Sequence, residues 1–544
     1  MNPTTVHEAF EASVRRWPDQ PMMMVPRSAE RAWLPDGLTL SYREVAERVG
    51  ALQALYAQAG YGHGHRVAML LENRPDHFLH LLALNALGAS IVPINPDYRA
   101  DEVLYLLDHS EAQLVVAVAS RVRDLGEVAR QAAKTPPVAC VEPLPAQLPP
   151  ARSAAMPGRP GRAAEAALLY TSGTTARPKG CMLSNDYHFA VGETYLNYGA
   201  MAAIREARER TYNPLPLFHM NAGIFSFMGM MLSGNCVVMP DRFHPRTFWS
   251  ELVETGTTIV HYLGVIPPIL LKQPAHPDER RHGVRFAVGA GVEPQLHGAF
   301  EERFGFPLLE LWGMTETGGG FIAAEEPRHI DTRAFGRPTG DMLARVVDDQ
   351  DRELPRDTEG ELTVRRHHDD PRRGFFSGYL KNPEATEEAW RGGWFHTGDV
   401  VRQDASGMLY FVDRKKNIIR RSGENIAAAE IEAVLQAHER VAQVAVIAVP
   451  DALRDEEVMA CVVPMPGVEA DAALARELFD WCMQRLAYFK APGWVVFLDA
   501  LPTTGTQKVQ KSKIFPEGED PTRRPDACDL RELKKRDAVT APRR

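Results

Sequence analysis

The sequence predicts an α/β protein with a smaller α+β domain at its C-terminal end. Apolar helical segments alternate with short β-branched runs over 40–140 and again over 165–330, which is typical of parallel sheets with crossover helices. From 333 to 413 the pattern changes to short strands and turns, which indicates antiparallel or barrel-like structure. After 413, helix and strand candidates follow one another over the length of a small domain.

Each element follows from a local pattern. Residues 4–17 place Val6, Phe10 and Val14 on one helical face, with Pro18 just beyond. Further helices are predicted at 428–437 and 471–487, and Pro-rich residues 144–163 predict an exposed loop. The strand candidates are 66–70, 90–94, 113–119, 166–170, 236–239, 257–263, 284–290, 360–366 and 407–413. The charged tail after 516 is expected to fray.

Composition and charge exclude several classes of protein. The chain has 544 residues, with 62 Lys and Arg against 71 Asp and Glu, and this mild acidity argues against nucleic acid as the main partner. Six cysteines lie far apart without a CxxC pair, which favours reduced thiols over a disulfide framework. The most apolar stretch, 77–96, is interrupted by His, Asn and Pro, so no membrane span is predicted. The first 20 residues lack an apolar core, so we expect no signal peptide and a cytoplasmic location.

The sharpest motif is LLYTSGTTARPKGCMLSN at 168–185. A short apolar strand ends in hydroxyl side chains around a glycine, and Lys179 follows as a mobile positive charge. Hydroxyls and backbone N–H groups of such a loop can cradle phosphate oxygens, although the spacing is not that of a Walker A loop. The candidate phosphate-binding residues are Thr171, Ser172, Gly173, Thr174, Thr175 and Lys179.

This loop resembles the phosphate loop of the adenylate-forming superfamily, which contains acyl-CoA synthetases, luciferases and peptide-synthetase adenylation domains. Four further motifs of that superfamily follow in its order, so the resemblance spans nearly the whole chain to about residue 515. They are ELWGMTETG (310–318), GWFHTGDVV (393–401), DRKKNIIRRSGENI (413–426) and LPTTGTQKVQK (501–511). Weaker similarities occur at PLFHMNA (216–222), GAGVEP (289–294) and GYLKNPEAT (378–386). The C-terminal region is most similar to crotonobetaine/carnitine-CoA ligases and neighbouring acyl-CoA ligases.

The resemblance implies a large N-terminal domain, 1–413, of parallel-sheet subdomains with a small barrel, and a small mobile α+β domain, 414–544. It also implies an ATP-dependent ligase that forms an acyl adenylate with release of pyrophosphate. The enzyme then transfers the acyl group to coenzyme A. Mg²⁺ would accompany ATP, and Glu316 would bind it as a hard oxygen ligand.

The resemblance also implies roles for nucleotide-binding residues. Lys508 would be the catalytic lysine that bridges the carboxylate and the α-phosphate, and Thr315 would hydrogen-bond the α-phosphate. Asp399 and Arg414 would bind the ribose, and Arg420 would reach the nucleotide. Gly291 would allow the adenine plane to approach, and the residues flanking adenine would be Glu310, Leu311, Trp312, Gly313 and Met314. Two residues depart from the usual motifs: Gln507 replaces a glycine and Trp312 replaces a tyrosine.

For the second half-reaction, the resemblance places the hinge at Lys416 and the thiol channel at Ser422 and Gly423. Arg242 matches a basic position that meets coenzyme A phosphates. The acyl pocket would contain His219, close to the carboxylate, together with Met220, Asn221, Ile224, Tyr262, Gly264, Val265, Gly313 and Met314. Since most of this set is apolar, a small or medium apolar or aromatic acid is expected.

Two other functions remain open. The acyl adenylate could pass to a carrier-protein thiol, although the chain ends about 30 residues after the lysine motif and no fused carrier domain is expected. Alternatively, the protein could be a nucleotide-binding relative without catalysis. Against this reading, Lys508, Glu316, Asp399 and Arg414 are all present. The expected partners are small molecules, and a homodimer is compatible with the sequence.

Overall fold

The protein is described here from a computed structural model. The structure describes residues 2–98, 100–171, 178–421, 424–451, 454–486, 488–503 and 509–534, without the side chains of Lys416, Arg420, Glu424, Asn425 and Asp455. The chain divides into two compact units. The first comprises Met1–Ala344 and Val364–Phe395, and the second comprises Arg345–Thr363 and His396–Arg544. Within the described residues, every helix is too short or too polar to cross a membrane.

The α-helices of the described residues follow the expected amphipathic patterns. The first two begin at side-chain caps, at Thr5 and at a capping box formed by Ser41 and Glu44. The helices are α1 Val6–Arg16, α2 Tyr42–Gln58, α3 Pro75–Ala86, α4 Ala100–Ser110, α5 Val122–Ala129, α6 Asn185–Asn197, α7 Phe227–Leu232, α8 Phe248–Thr255, α9 Ile266–Lys272, α10 Pro294–Phe304, α11 Pro383–Ala389, α12 Ala428–Gln436 and α13 Ala472–Met483.

Nine of the strands coincide with the candidate runs of the sequence. The strands of the described residues are β1 Pro21–Val25, β2 Leu38–Ser41, β3 Arg66–Leu70, β4 Ser90–Pro93, β5 Leu114–Ala117, β6 Val138–Cys140, β7 Glu165–Thr171, β8 Lys179–Ser184, β9 Arg210–Tyr212, β10 Cys236–Val238, β11 Ile259–Leu263, β12 Phe286–Ala290, β13 Leu308–Gly313, β14 Gly320–Ile322, β15 Ala334–Gly336, β16 Met342–Val347, β17 Glu359–Arg366, β18 Gly378–Tyr379, β19 Phe395–Gln403, β20 Leu409–Arg414, β21 Ile418–Arg421, β22 Glu424–Ala427, β23 Val441–Asp451, β24 Asp455–Pro464, β25 Trp494–Phe497 and β26 Cys528–Asp529.

Two large sheets build the first unit. An eight-stranded sheet has the order β14-β13-β12-β11-β9-β10-β1-β2, and its strands from β13 to β1 are parallel. A seven-stranded sheet has the order β18-β8-β7-β4-β3-β5-β6, with a parallel set from β7 to β6. Strands β4 and β5 are buried along their whole length, as expected for parallel strands covered on both faces. The predicted α/β class is therefore confirmed.

The barrel-like region of the sequence forms an antiparallel pair, β19 and β20, within the linear order β16-β17-β19-β20. This strand order does not return on itself, so the described strands do not form the small barrel that was expected.

The second unit also contains an α+β fold around β24. Strand β24 lies between β25, to which it is parallel, and β23, to which it is antiparallel. Helices α12 and α13 pack on this sheet through Ile431, Leu435, Leu474 and Leu478, all fully buried. The small C-terminal α+β domain is confirmed as a fold.

The tail after 516 is more ordered than its charge pattern suggests. Cys528 and Asp529 pair with β25, and Leu530 is buried against the second unit. The expectation of fraying is therefore wrong for residues 528–534, because these long-range contacts cannot be read from local composition.

Candidate active site

The hairpin of β7 and β8 presents the ends of the predicted phosphate loop. Thr171 and Lys179 are register neighbours at the loop end of this hairpin. The Lys179 Nζ lies 4.8 Å from the centre of the Tyr379 ring, and the Tyr379 hydroxyl donates to Glu316 Oε1 at 3.0 Å. A cation and a carboxylate therefore contact the same tyrosine. Ser172, Gly173, Thr174 and Thr175 lie outside the described residues.

Glu316 is a buried carboxylate held in a fixed position. Phe376 N donates to its main-chain carbonyl at 2.9 Å, and the Tyr187 hydroxyl donates to the carbonyl of the preceding Thr315 at 2.7 Å. Burial, and then Glu316, raise the pKa of Tyr379, so its hydroxyl stays a donor. Because Mg²⁺ binds one or two protein carboxylates together with phosphate oxygens and water, a single fixed carboxylate fits a nucleotide-borne Mg²⁺.

Tyr379 was not assigned a role from the sequence. Its signal lay in the weak motif GYLKNPEAT, where an aromatic residue follows a glycine. The glycine, Gly378, has φ +133° and packs against Thr386, whose hydroxyl accepts from Tyr379 N at 2.9 Å. The short strand β18 thereby fixes the tyrosine that links Lys179 to Glu316.

A second part of the site lies where three parallel strands end side by side. Tyr262 on β11, Gly289 on β12 and Glu310 on β13 are neighbours across the sheet. The buried Glu310 carboxylate accepts the Tyr262 hydroxyl at 2.5 Å and Gly291 N at 2.8 Å. Burial raises the pKa of Glu310, and these hydrogen bonds oppose the rise. Glu310 therefore stabilises the loop that follows β12. This loop is predicted to face adenine.

Close backbone approach explains the glycines of this region. A Cβ on Gly264 would lie 1.9 Å from the Gly291 carbonyl oxygen, so a side chain there would collide with the loop. Gly291 itself has φ +85°, and the nearest atom to a Cβ there would be Gly264 Cα at 4.0 Å. The backbone at Gly291 is thus bare on the side where a planar ligand is predicted to approach.

The end of β13 carries the other predicted adenine contacts. Trp312 is buried and stacks on Phe321 with ring centres 5.6 Å apart and planes at 17°. Leu311 pairs in register with Ile322 on β14. Gly313 is exposed, whereas Met314 and Thr315 are half-buried. The Trp312 ring is therefore held by core contacts, which suits a rigid wall.

His219 lies immediately before a widened helical turn. Residues Asn221–Ser226 form a π-helix, a feature often found at functional sites. Burial lowers the pKa of His219 to about 4, so the imidazole is neutral at pH 7. Its Nε2 has no hydrogen-bond partner among the described residues. A neutral ring with an available nitrogen can contact a carboxylate or its adenylate without adding charge.

Polar contacts fix Asn221 on this turn. Its Oδ1 accepts from Asn213 Nδ2 at 3.0 Å and contacts His261 Nδ1 at 2.8 Å. His261 Nε2 in turn contacts the Tyr195 hydroxyl at 2.9 Å. The amide oxygen of Asn221 is thus used inside the protein. Ile224 is buried on the same turn.

The remaining predicted pocket residues lie near these strands and the turn. Met220 is half-buried, as is Gly264, and Val265 is an exposed large hydrophobic side chain. Tyr262 is almost fully buried, with its hydroxyl on Glu310. An exposed apolar side chain beside the bare backbone of Gly264 is compatible with a pocket mouth.

In the second unit, the two predicted ribose ligands lie together. Asp399 and Arg414 are register neighbours on β19 and β20, and Arg414 Nε lies 2.7 Å from the buried Asp399 Oδ1. Asp399 N also donates to Thr397 Oγ1 at 3.1 Å. The structure thus brings these two predicted ribose ligands together.

Asp413, next to the predicted hinge, ties β20 to the start of α12. Its Oδ1 accepts from Arg414 N at 2.6 Å and from Asn417 Nδ2 at 3.1 Å, and its Oδ2 accepts from Ala429 N at 2.8 Å. The boundary predicted between Asp413 and Arg414 lies inside the second unit.

The strand that precedes the predicted thiol channel ends in a buried charge cluster. Arg421 Nε lies 2.8–2.9 Å from both carboxylate oxygens of Glu457, and Lys534 Nζ donates to Glu457 Oε1 at 2.5 Å. Burial lowers the pKa of Lys534 to about 8, against the raising effect of Glu457. Arg421 is therefore fixed by Glu457 of β24, which Lys534 of the C-terminal segment also contacts.

One further predicted residue is exposed, and five residues of the second unit lie wholly or partly outside the described part of the chain. Arg242 is an exposed arginine whose Nε lies 4.0 Å from Asp241 Oδ2. The side chains of Lys416 and Arg420, and the whole of Ser422, Gly423 and Lys508, lie outside the described residues.

Comparison with known families decides the relationship. Residues 10–380 match the AMP-binding enzyme model, and residues 430–508 match the model of the AMP-binding enzyme C-terminal domain. The chain belongs to the AMP-binding enzyme family. This AMP-binding enzyme is 33% identical to a sulfoacetate–CoA ligase of Cupriavidus necator, over 95% of this chain and 99% of the relative. It is 31% identical to a crotonobetaine/carnitine–CoA ligase of Citrobacter koseri, over 87% and 92%.

Solved structures share the fold of this AMP-binding enzyme. An O-succinylbenzoate–CoA synthetase of Bacillus subtilis in complex with AMP superimposes with a TM-score of 0.79 at 24% identity, covering 93% of this chain and 98% of that one. ATP-bound MatB of Rhodopseudomonas palustris gives 0.78 at 24% identity, covering 97% and 100%. At this identity the likeness establishes the fold alone.

Proposed function

We propose that this AMP-binding enzyme is an ATP-dependent carboxylate–CoA ligase. It activates a carboxylic acid as an acyl adenylate with release of pyrophosphate, and then transfers the acyl group to the thiol of coenzyme A. The observation that carries the proposal is the match, over nearly the full length of both chains, to relatives that are CoA ligases.

In the first half-reaction, a carboxylate oxygen of the acid attacks the α-phosphorus of ATP, and pyrophosphate leaves. Two anions must approach each other, so positive charge and hydrogen-bond donors at the reacting centre lower the barrier. Lys179 and the loop from Thr171 to Thr175 hold phosphate oxygens, Thr315 holds the α-phosphate, and Lys508 bridges the two reactants. Glu316 would hold Mg²⁺, which supplies positive charge to the phosphates when bound.

Separate sets of residues hold the ribose and the adenine. Asp399 and Arg414 bind the ribose hydroxyls, which suits a carboxylate that accepts and a guanidinium that donates. Adenine lies between the loop at Gly291 and residues 310–314, whose position Glu310 stabilises through Gly291 N and Tyr262.

In the second half-reaction, the coenzyme A thiol attacks the acyl carbonyl carbon, and AMP leaves as the C–O bond to phosphate breaks. The domain boundary proposed at 413/414 serves as the hinge, with Lys416 taking up the backbone change. Ser422 and Gly423 then line the thiol channel, and Arg242 meets coenzyme A phosphates. The π-helical turn and the ends of β11 and β13 form the acyl pocket, where His219 contacts the carboxylate.

Cytoplasmic location and a homodimeric state belong to this proposal. Fractionation of the native source and light scattering of the purified chain test them directly. Membrane association, or a monomer at all concentrations measured, would contradict the respective proposal.

The deciding experiment is pyrophosphate release over a panel of carboxylic acids, with and without coenzyme A. We expect steady turnover only with coenzyme A, because acyl adenylate otherwise stays on the enzyme. Turnover that ignores coenzyme A but responds to an added carrier protein would favour a carrier-protein thiol as acceptor. Absence of turnover with ATP binding intact would favour a non-catalytic nucleotide-binding relative.

The role of Lys508 needs its own comparison of half-reactions. Lys508→Ala should slow adenylation strongly but slow thioesterification of supplied acyl-AMP much less, since only the first step brings two anions together. The matched control is Lys513→Ala, a neighbouring lysine without a proposed role. Equal losses in both half-reactions would contradict the role of Lys508.

A further inference from the structure

A partly buried polar cluster lies beside the predicted acyl pocket in the first unit. We call it the Arg366 cluster, and it comprises Thr194, Tyr198 and Arg366 around Gly319. A Cβ on Gly319 would lie 3.0 Å from Thr194 Oγ1 and 3.2 Å from Arg366 Nη2. Since glycine has no side chain, the two polar groups lie directly beside its bare backbone.

Arg366 is a buried arginine of which only one end is paired. Its side chain is 7% exposed, and its Nη1 forms an ion pair with Asp341, a carboxylate that is more than half exposed. Its Nη2 has no hydrogen-bond partner among the described residues. A guanidinium donor left unpaired in the interior is costly, so a ligand that accepts from it gains correspondingly.

Tyr198 supplies a second group of the same kind. Its hydroxyl is buried and lacks a hydrogen-bond partner within the described part of the chain. Burial raises the pKa of Tyr198, and the nearby positive charge of Arg366 opposes the rise. The hydroxyl is therefore a neutral donor that lies in the electrostatic field of the guanidinium.

Two contacts connect the Arg366 cluster with the predicted acyl pocket. A Cβ on Gly313, a predicted pocket residue, would lie 3.5 Å from the Gly319 carbonyl oxygen. The Tyr198 ring lies 6.2 Å from the ring of Phe225, which is on the same π-helical turn as Ile224. The cluster therefore adjoins the pocket from two sides.

We propose that the Arg366 cluster binds a second anionic group at the distal end of the acyl substrate, so that the preferred substrates are carboxylic acids with a further carboxylate or sulfonate. This inference rests on the proposed function and gives it a substrate class. A guanidinium has donors only, and its planar fork matches carboxylate and sulfonate oxygens. A distal cation would face the same positive charge and is disfavoured. This replaces the apolar acid expected from the pocket side chains.

The test compares acids of matched length with and without the distal anion. Coenzyme A-dependent pyrophosphate release is measured with succinate against butyrate, glutarate against valerate, and sulfoacetate and 3-sulfopropionate against acetate and propionate. We expect kcat/KM to favour the dianion of at least one pair by about 10- to 100-fold, the range expected for a hydrogen bond to a charged group. The sulfonate and carboxylate arms identify which anion the cluster prefers.

Two variants assign the preference to the cluster. Arg366→Gln should lower kcat/KM for the preferred dianion by about 10- to 100-fold and leave its monoanionic partner within about threefold. Tyr198→Phe removes a single hydroxyl, and should lower only the value for the dianion, by a smaller factor. The control is Arg372→Gln, because Arg372 pairs with Glu387 at the surface.

The outcomes separate the inference from the proposed function. Turnover with monoanions alone, or equal losses for both acids in Arg366→Gln, would overturn the inference and leave the ligase intact. If Arg366→Gln does not fold, Tyr198→Phe decides by the same comparison. Absence of pyrophosphate release with every acid would overturn the proposed ligase function together with its substrate class.

Discussion

At the scale of single residues, Glu310 illustrates how a buried charge organises the nucleotide side of the site. It accepts from Tyr262 and Gly291 and thereby joins the ends of two strands. We expect Glu310→Ala to lower the free energy of unfolding by about 2–3 kcal/mol, because it leaves a hydroxyl and a backbone N–H unpaired. It should also raise KM for ATP more than KM for the acid. Steady-state kinetics and denaturant unfolding measure the two effects.

Glu310→Gln is the matched control, because it keeps an oxygen acceptor of nearly the same shape. Its effects should be clearly smaller than those of Glu310→Ala. A larger rise in KM for the acid than for ATP would place Glu310 in the acyl pocket and contradict its role beneath the nucleotide.

His219 gives a prediction about pH. Burial lowers its pKa to about 4, so the folded enzyme keeps this imidazole neutral from pH 8 to about pH 5. If kcat/KM decreases as pH is lowered towards 5, we expect the decrease to have the same apparent pKa in the wild type and in His219→Gln. A limb with an apparent pKa near 6.5 that disappears in the variant would show that His219 titrates during catalysis.

At the scale of elements, the nine strand candidates between 66 and 413 all coincide with strands, whereas many other strands and the site's special backbone were not predicted. The run at 66–70 coincides with β3, and the run at 284–290 contains β12, because β-branched residues and buried strands share a local signature. The π-helix at Asn221–Ser226 has no such signature. It depends on the Leu217 carbonyl, which packs against Gly223.

The same distinction holds for the candidate site. The motifs named Asp399, Arg414, Lys179 and Glu316 as site residues, and the structure places Asp399 beside Arg414 and joins Lys179 to Glu316 through Tyr379. Tyr379 and Arg366 were missed, since their importance comes from partners distant in sequence, Glu316 and Gly319. Long-range packing, rather than local propensity, creates these contacts.

The π-helical turn supports a prediction with a matched control. A Cβ at Gly223 would lie 2.1 Å from the Leu217 carbonyl oxygen, so Gly223→Ala must displace backbone. We expect it to cost about 1–3 kcal/mol of unfolding free energy and to raise KM for the acid. Gly126→Ala, in the partly exposed helix α5, should instead stabilise by about 0.5–1 kcal/mol. Calorimetry measures the stability of both variants, and kinetics at varied concentrations of the carboxylic acid measure KM. An unchanged KM in Gly223→Ala would show that the turn does not form part of the acyl pocket.

At the scale of the whole molecule, five histidines of the first unit, four buried and one half-buried, make acid pH destabilising. Burial lowers the pKa of His77 and His261 to about 3, and of His80, His188 and His219 to about 4. In the unfolded chain each titrates near 6.5. As pH falls from 7.5 to 5.5, the unfolded chain therefore binds protons that the folded unit does not bind. The free energy of unfolding decreases as a result.

Each of these histidines should cost about 1.4 kcal/mol at pH 5.5, because the unfolded state is then mostly protonated and the folded state is not. Calorimetry should show the unfolding temperature of the full chain falling steeply between pH 7.5 and 5.5, before carboxylates titrate. His80→Gln, which replaces one of the five, should make this dependence on pH shallower. An unfolding temperature that is constant over this range would mean that these side chains accept protons in the folded protein. That result would also contradict the neutral state assigned to His219 in the candidate site.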